Sequence, residues 1–223
     1  LAGYGSALNK PTVLSNGDWL RPVDTFNKAD PERTRFYISR DQGKSFSFLA
    51  KTPIKDGAFS EQMIVERRDG SLIAFSRATY GIAQIESSDR GATWGNNRPF
   101  TSERGVNARF HFRRLKSGAW LLVLNDDPKV RTRMTALLSE DEGRTWPHRL
   151  LLDDRALVTY PDGTEAANGF LYLIYDHGRY VKDEQEILFA KIAEAAIRSG
   201  KLVHPESRLR QKTIIGGGTN RCV

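Results

Sequence analysis

The chain writes one eight-residue phrase three times: SRDQGKSF from Ser39 to Phe46, SSDRGATW from Ser87 to Trp94, and SEDEGRTW from Ser139 to Trp146. The shared pattern is S-x-D-x-G-x-[ST]-[WF], and its aspartates stand 48 and 52 residues apart. Each part has a physical task. The Asp accepts backbone N–H bonds across a turn, the Gly takes φ > 0, and the closing aromatic offers surface to bury against a neighbouring sheet. One copy constrains little, but three in step require a fold assembled from repeated, turn-rich units.

A second signal runs in phase with the first. Turn glycines Gly17, Gly70, Gly118 and Gly169 each precede an apolar β-type run (WLRPV, LIAFS, WLLVL, LYLIY), at steps of 53, 48 and 51 residues. Asn-Gly, Asp-Gly and Ser-Gly between two such runs read as a β-hairpin. A period of about 50 residues holds four strands, which is the size of a propeller blade. A β-sandwich is the alternative, but it predicts irregular strand spacing rather than an in-phase motif. The expected fold is therefore an all-β propeller with about four blades over residues 1–215, followed by a flexible tail over 216–223. The fourth unit lacks the eight-residue phrase; EILFAKI continues as a strand, and AEAAIRSGKL reads as a short helix stopped at Gly200.

Propeller chemistry sits where the innermost strands converge, so repeat-equivalent positions are the ones to compare. Nine residues before the hairpin glycines stand Leu8, Glu61, Arg109 and Tyr160; seven residues after them stand Asp24, Arg77, Asn125 and Asp176. Polar side chains at two fixed register positions imply a polar pocket. Arginines there would hold a carboxylate through paired, fixed-geometry hydrogen bonds, with Arg77 and Arg131 the leading candidates and Arg109 third. A glutamate such as Glu61 within reach of Tyr160 would take the phenolic proton and make a usable nucleophile. That choice avoids the repulsion a carboxylate nucleophile would meet at an anomeric carbon carrying its own carboxylate.

The eight-residue phrases are Asp boxes. Together with SEQMIVERRDGSLIAFSR (Ser60 to Arg77), NDDPKVRTRMTALLSEDEGRTW (Asn125 to Trp146) and TYPDGTEAANGFLYLIYDHGR (Thr159 to Arg179), they resemble the sialidase (neuraminidase) superfamily with BNR repeats, in its bacterial sialidase-like branch. The resemblance covers nearly the whole chain, with the motifs in the family's order. It implies Glu61 as partner of the nucleophile Tyr160, and Arg77 and Arg131 as carboxylate ligands. It also implies the six-bladed sialidase type, of which this stretch resembles the last four blades. The family's first arginine and its acid/base aspartate belong to the other two. Asp24 and Asp176 are repeat-equivalent carboxylates counted with Arg77, Arg131 and Arg109 among the substrate-binding residues, and either could serve as the acid. The implied activity is retaining hydrolysis of glycosides of an acidic sugar such as sialic acid; a propeller that only binds carbohydrate or a protein partner is the alternative.

An excess of 34 Lys+Arg over 27 Asp+Glu, formally +7, points to an anionic partner. The basic residues are scattered, with no tail or zinc-finger spacing, so an acidic sugar or glycoconjugate is expected rather than nucleic acid. No apolar run approaches the ~20 residues of a membrane-spanning helix. The opening LAGYGSALNK has neither a basic n-region nor an apolar h-region, so a soluble chain is expected, with export left open. The single cysteine, Cys222, makes no internal disulfide. His111, His148, His177 and His204 lack metal spacing and are expected at the surface or in turns; the Asp-box aspartates are expected to form turns rather than bind calcium. No cofactor or metal is expected. An arc of four blades would leave two open edges, so the chain is expected either as an open, association-prone arc or closed through a partner chain, rather than as a monomeric four-bladed ring.

Overall fold

The computed structural model describes residues 7–213, apart from 26, 28, 31, 55–56, 59–60 and 101–104, so the expected tail lies outside the described residues. Four antiparallel four-stranded sheets follow one another along the chain. The first comprises Thr12–Val13 (β1), Trp19–Asp24 (β2), Thr34–Ser39 (β3) and Ser47–Thr52 (β4). The second comprises Met63–Glu66 (β5), Leu72–Ala78 (β6), Gly81–Ser87 (β7) and Gly95–Pro99 (β8). The third comprises His111–Arg114 (β9), Trp120–Asn125 (β10), Met134–Ser139 (β11) and His148–Asp153 (β12). The fourth comprises Val158–Glu165 (β13), Phe170–His177 (β14), Glu186–Ala193 (β15) and Arg208–Lys212 (β16), with Glu194–Ser199 (α1) between its last two strands. Each sheet is a meander, as the 50-residue period predicts.

The repeat glycines earn their place by backbone conformation. Gly17, Gly70, Gly118 and Gly169 have φ of +88°, +83°, +89° and +79°, a region that costs an L-residue roughly 1–2 kcal/mol. In every copy the glycine N–H bonds the carbonyl three residues earlier (Leu14, Arg67, Leu115, Ala166), closing the same tight turn. The Asp boxes join the third and fourth strands of the first three sheets. In each, the Ser hydroxyl accepts the Gly N–H at 2.8 Å and donates to the Asp, which in turn accepts the N–H and hydroxyl of the Ser or Thr four residues on. These aspartates are turn formers, as expected, and the bonds they accept hold Asp41, Asp89 and Asp141 below the usual carboxylate range.

Packing between sheets follows the two-residue period of a strand. From the second sheet, Ile64, Leu72, Ala74 and Ile85 pack toward Leu20, Phe36 and Ile38 of the first. The intervening Met63, Val65, Ile73, Phe75 and Ile82 pack toward Phe112, Trp120 and Leu122 of the third. A third core joins Leu121, Val123 and Ala136 to Leu171, Leu173, Leu188 and the α1 residues Ala196 and Ile197. Strands β6 and β10 are buried along their whole length because both faces are covered, which is why their sequences read as continuous apolar runs. Each fully buried large apolar side chain contributes about 1.5–3 kcal/mol.

Three junctions thus link four blades in a propeller-like arrangement, and among the described residues no fourth core joins the last blade to the first. Val13 and Phe48 stay more than half exposed on the outer side of the first blade. Ile174 and Ile187 are exposed on the outer side of the fourth, beside the Tyr172–Phe189 ring contact. No helix among the described residues is long and apolar enough to cross a membrane.

Candidate active site at the mouth of the inner strands

In an antiparallel pair the start of one strand lies beside the end of the next. Extending the register Met63↔Phe75 by two residues sets Glu61 across from Arg77, and extending Val123↔His111 sets Arg109 across from Asn125. The two polar register positions read from the sequence are therefore cross-strand neighbours at one end of the blades.

Glu61 and Arg77 are almost fully buried, with 2% and 4% of their surface exposed. Arg77 Nη1 lies 3.3 and 3.2 Å from the two Glu61 oxygens and donates at 3.4 Å to the Tyr160 hydroxyl. A single guanidinium nitrogen therefore bridges a carboxylate of the second blade and a phenol of the fourth. Asn107 fixes the rest of the group. Its Oδ1 accepts from Arg77 Nε at 2.7 Å, and its carbonyl accepts from Arg77 Nη2 at 3.2 Å and from Arg131 Nη2 at 3.1 Å. Arg131 comes within 6.0 Å of the Tyr160 ring centroid.

Tyr160 sits on a strained backbone. Its φ is +55°, uncommon for a residue with a Cβ and costing on the order of 1–3 kcal/mol. The ladder β13–β14 shifts register between Thr159 and Asp162, so Tyr160 lies in a β-bulge. Pro161 fits there because it has no N–H to give to the ladder. A bulge bends its strand and re-aims a side chain, here toward Arg77.

The other candidates fall elsewhere. Arg109 does not join this group; its Nη2 lies 3.3 Å from Asp162 Oδ2. Lys10 Nζ from the first blade and His111 Nδ1 from the third also approach Asp162 Oδ1, at 3.5 and 3.2 Å. Burial pushes the Asp162 carboxyl up, but His111, the Gly163 N–H and Lys10 outweigh it and hold the group well below its usual range. His111 corrects the surface-or-turn expectation: it is a buried strand residue, and burial pushes its imidazole down, toward the neutral form. Asn125 donates to the carbonyls of Thr132 and Val158, a structural bond at the β10–β13 junction. Asp24 is buried 3.5 Å from Arg33 Nε. Asp176, which pairs with Thr159 across β13–β14, accepts from Arg179 Nε at 2.8 Å and also from its Nη2. Burial raises the Asp176 carboxyl, the pairing with Arg179 notwithstanding. Sequence comparison passed over Asn107 and Arg179, neither of which occupies a repeated register position.

Fold and side chains together define a class: an all-β, Asp-box, propeller-like protein that gathers two arginines, a glutamate and a tyrosine from three blades at one end of its sheets. The chain belongs to the BNR repeat-like domain family, whose profile matches residues 5–173, and the resemblance to the sialidase superfamily read from its motifs is borne out. It is 27% identical over 140 residues to the anhydrosialidase of Macrobdella decora, a match covering 62% of this chain and 17% of that protein. It superposes with a TM-score of 0.70 and 21% identity on the intramolecular trans-sialidase of Ruminococcus gnavus in complex with oseltamivir carboxylate, covering 87% of this chain and 44% of that one. It also superposes with a TM-score of 0.62 and 17% identity on the alpha-L-arabinanase of Penicillium chrysogenum complexed with arabinobiose, covering 94% and 67%. At these identities the structural likeness shows the fold. The chain spans less than half the length of these two sialidase-type relatives.

Proposed function

We propose that the mouth receives a glycoside of an acidic sugar of the sialic-acid type and that the protein hydrolyses it with retention. Tyr160 is the nucleophile, Glu61 its base, and Arg77 and Arg131 grip the substrate carboxylate. A fold shared with an arabinanase does not choose the sugar, so the reading stands on side chains. The observation that carries it is the Arg77 Nη1 bridge between Glu61 and the Tyr160 hydroxyl. The phenolic oxygen forms a bond to the anomeric carbon, its proton passes to Glu61, and the glycosidic C–O bond breaks with the electron pair leaving on the aglycone. Water then releases the sugar with its configuration kept. The acid that protonates the leaving oxygen is not assigned to a residue of this chain. Release of 4-methylumbelliferone from its sialoside by the protein, abolished in Tyr160→Phe and in Glu61→Gln, tests the reading; full activity in Tyr160→Phe overturns it.

The same reading takes residues 1–215 as part of a six-bladed propeller. The exposed apolar side chains on the outer blades support self-association through those faces. Light scattering of the chain at dilute concentration tests this, and a sharp monomer overturns it.

A further inference from the structure

Arg179 has no part in the scheme above, yet its guanidinium carbon lies 3.7 Å from the Tyr160 ring centroid, far closer than that of Arg131. At that distance the planar cation lies in contact with the ring face, the geometry in which arginine and an aromatic attract. Arg179 is also anchored. Its Nε and Nη2 both donate to Asp176, a buried residue paired with Thr159, the immediate neighbour of Tyr160.

The backbone places Arg179 over the ring. Gly178 turns the chain at φ +63°, its N–H bonds the Leu157 carbonyl at the head of β13, and an added Cβ would come within 2.6 Å of the Glu184 carbonyl oxygen. The strand bearing the strained Tyr160 and the turn bearing Arg179 are thereby tied at two points, Leu157–Gly178 and Thr159–Asp176. A residue held at positive φ persists only when its surroundings over-determine it.

We propose that Arg179 is a positioning residue for Tyr160: locked by Asp176, it caps one face of the phenol ring and holds the hydroxyl at Arg77 and Glu61. The inference rests on the reading of Tyr160 as nucleophile. It also gives Asp176 a task, as the anchor of Arg179 rather than a ligand of the substrate. What sets Arg179 apart from Arg77 is that its guanidinium lies over the Tyr160 ring, with its Nε–Nη2 edge on Asp176, whereas Arg77 meets the phenolic hydroxyl.

Steady-state kinetics on the aryl sialoside separates these roles. Arg179→Ala is expected to lower kcat roughly 10- to 100-fold, the scale on which misplacing a reacting group is felt, with KM within about twofold of wild type. Arg179→Lys restores part of the loss, since the charge returns without the planar contact. Asp176→Asn acts through Arg179, so the double variant is no slower than Arg179→Ala alone. A raised KM with kcat intact overturns the proposal in favour of substrate binding, and unchanged kinetics overturn it outright. If Tyr160→Phe is inactive while Arg179→Ala behaves as wild type, this inference alone fails; if Tyr160→Phe is fully active, the nucleophile reading fails with it. A readout independent of turnover is the proton NMR of Arg179, whose side-chain protons are shifted upfield by the Tyr160 ring and return to ordinary positions in Tyr160→Leu. Unshifted Arg179 protons in wild type overturn the stacking on which the proposal stands, and this measurement decides the matter should Arg179→Ala fail to fold.

Discussion

The indole of Trp94, carried by the Asp box of the second blade, stacks on the ring of Phe36 in the first, with centroids 4.3 Å apart and planes 15° from parallel. Trp146 does the equivalent one junction later, meeting Phe100 of the second blade edge-on at 5.8 Å. The aromatic of each of these boxes thus closes a junction with the preceding blade. Phe46, the same position in the first box, has a different neighbourhood: the Arg21 guanidinium, 5.9 Å from its centroid. Trp94→Ala should therefore cost about 2–3 kcal/mol, at or below the lower end for loss of a large aromatic because the ring is partly exposed. Phe46→Ala should cost less than about 1 kcal/mol. Urea unfolding of the two variants checks the contrast, and equal losses would show that the first box also closes a junction.

Two glycines with nearly the same φ are expected to respond differently to alanine. Gly17 has φ +88° and open space where a Cβ would go, so Gly17→Ala carries only the backbone term, about 1–2 kcal/mol. Gly143 has φ +84°, and its added Cβ would come within 2.8 Å of the Trp120 ring, a fully buried side chain with no room to retreat. Overpacking there adds about 1–3 kcal/mol to the backbone term. Thermal unfolding should rank Gly143→Ala clearly below Gly17→Ala, and the reverse order would show that Trp120 shifts freely.

The same contrast explains what was legible in the sequence. Hairpin glycines and Asp boxes are local devices, complete within eight residues, so their chemistry can be read wherever they occur. Glu61, Arg77 and Tyr160 were found by comparing equivalent positions, which works as long as the blades are built alike. The fourth blade departs from that pattern. Its bulge between Thr159 and Asp162 adds a residue to the inner strand, and Asp162 then meets Arg109 and His111. Arg109 therefore pairs with Asp162 rather than joining Glu61 and Arg77, and His111, expected at the surface or in a turn, is a buried strand residue. Asn107 and Arg179 reach Arg77 and Tyr160 from a loop and from the turn at Gly178, where no period applies. Only the three-dimensional approach of separate blades reveals them.

Glu86 makes stability depend on acid. Its Oε1 accepts from Arg67 Nη2 at 2.8 Å, Arg98 Nη2 at 3.0 Å and Gln84 Nε2 at 3.0 Å, and its Oε2 accepts from Asn96 Nδ2 at 3.0 Å. Burial pushes the carboxyl up, but the hydrogen bonds from Arg67, Arg98 and Asn96 outweigh it and bring it down to about 2. A depressed folded value means stabilisation that is fully present above the unfolded value, near 4.5, and lost as pH falls toward 2. With the side chain about one-fifth exposed, the contribution after solvent screening is about 1–2 kcal/mol. Glu86→Gln should be less stable than wild type by that amount at pH 7, and the two should converge near pH 2. A constant difference from pH 7 to pH 2 would sink the assignment.

The Glu61–Arg77 pair should cost more to break than to replace. Both side chains are nearly inaccessible, so each charge has given up its hydration and depends on the other. Glu61→Ala takes the carboxylate away from the buried Arg77 guanidinium, which keeps its bonds to Asn107 and the Tyr160 hydroxyl, and should destabilise by about 3–5 kcal/mol. Arg77→Met leaves the Glu61 carboxylate buried without the Arg77 cation and should destabilise on the same scale, about 3–5 kcal/mol. Replacing both at once with Met should cost less than Glu61→Ala alone, since neither buried charge is left without the other. Denaturant unfolding of the three variants measures this. A double variant less stable than either single would mean that the pair contributes net stability beyond its role at the mouth.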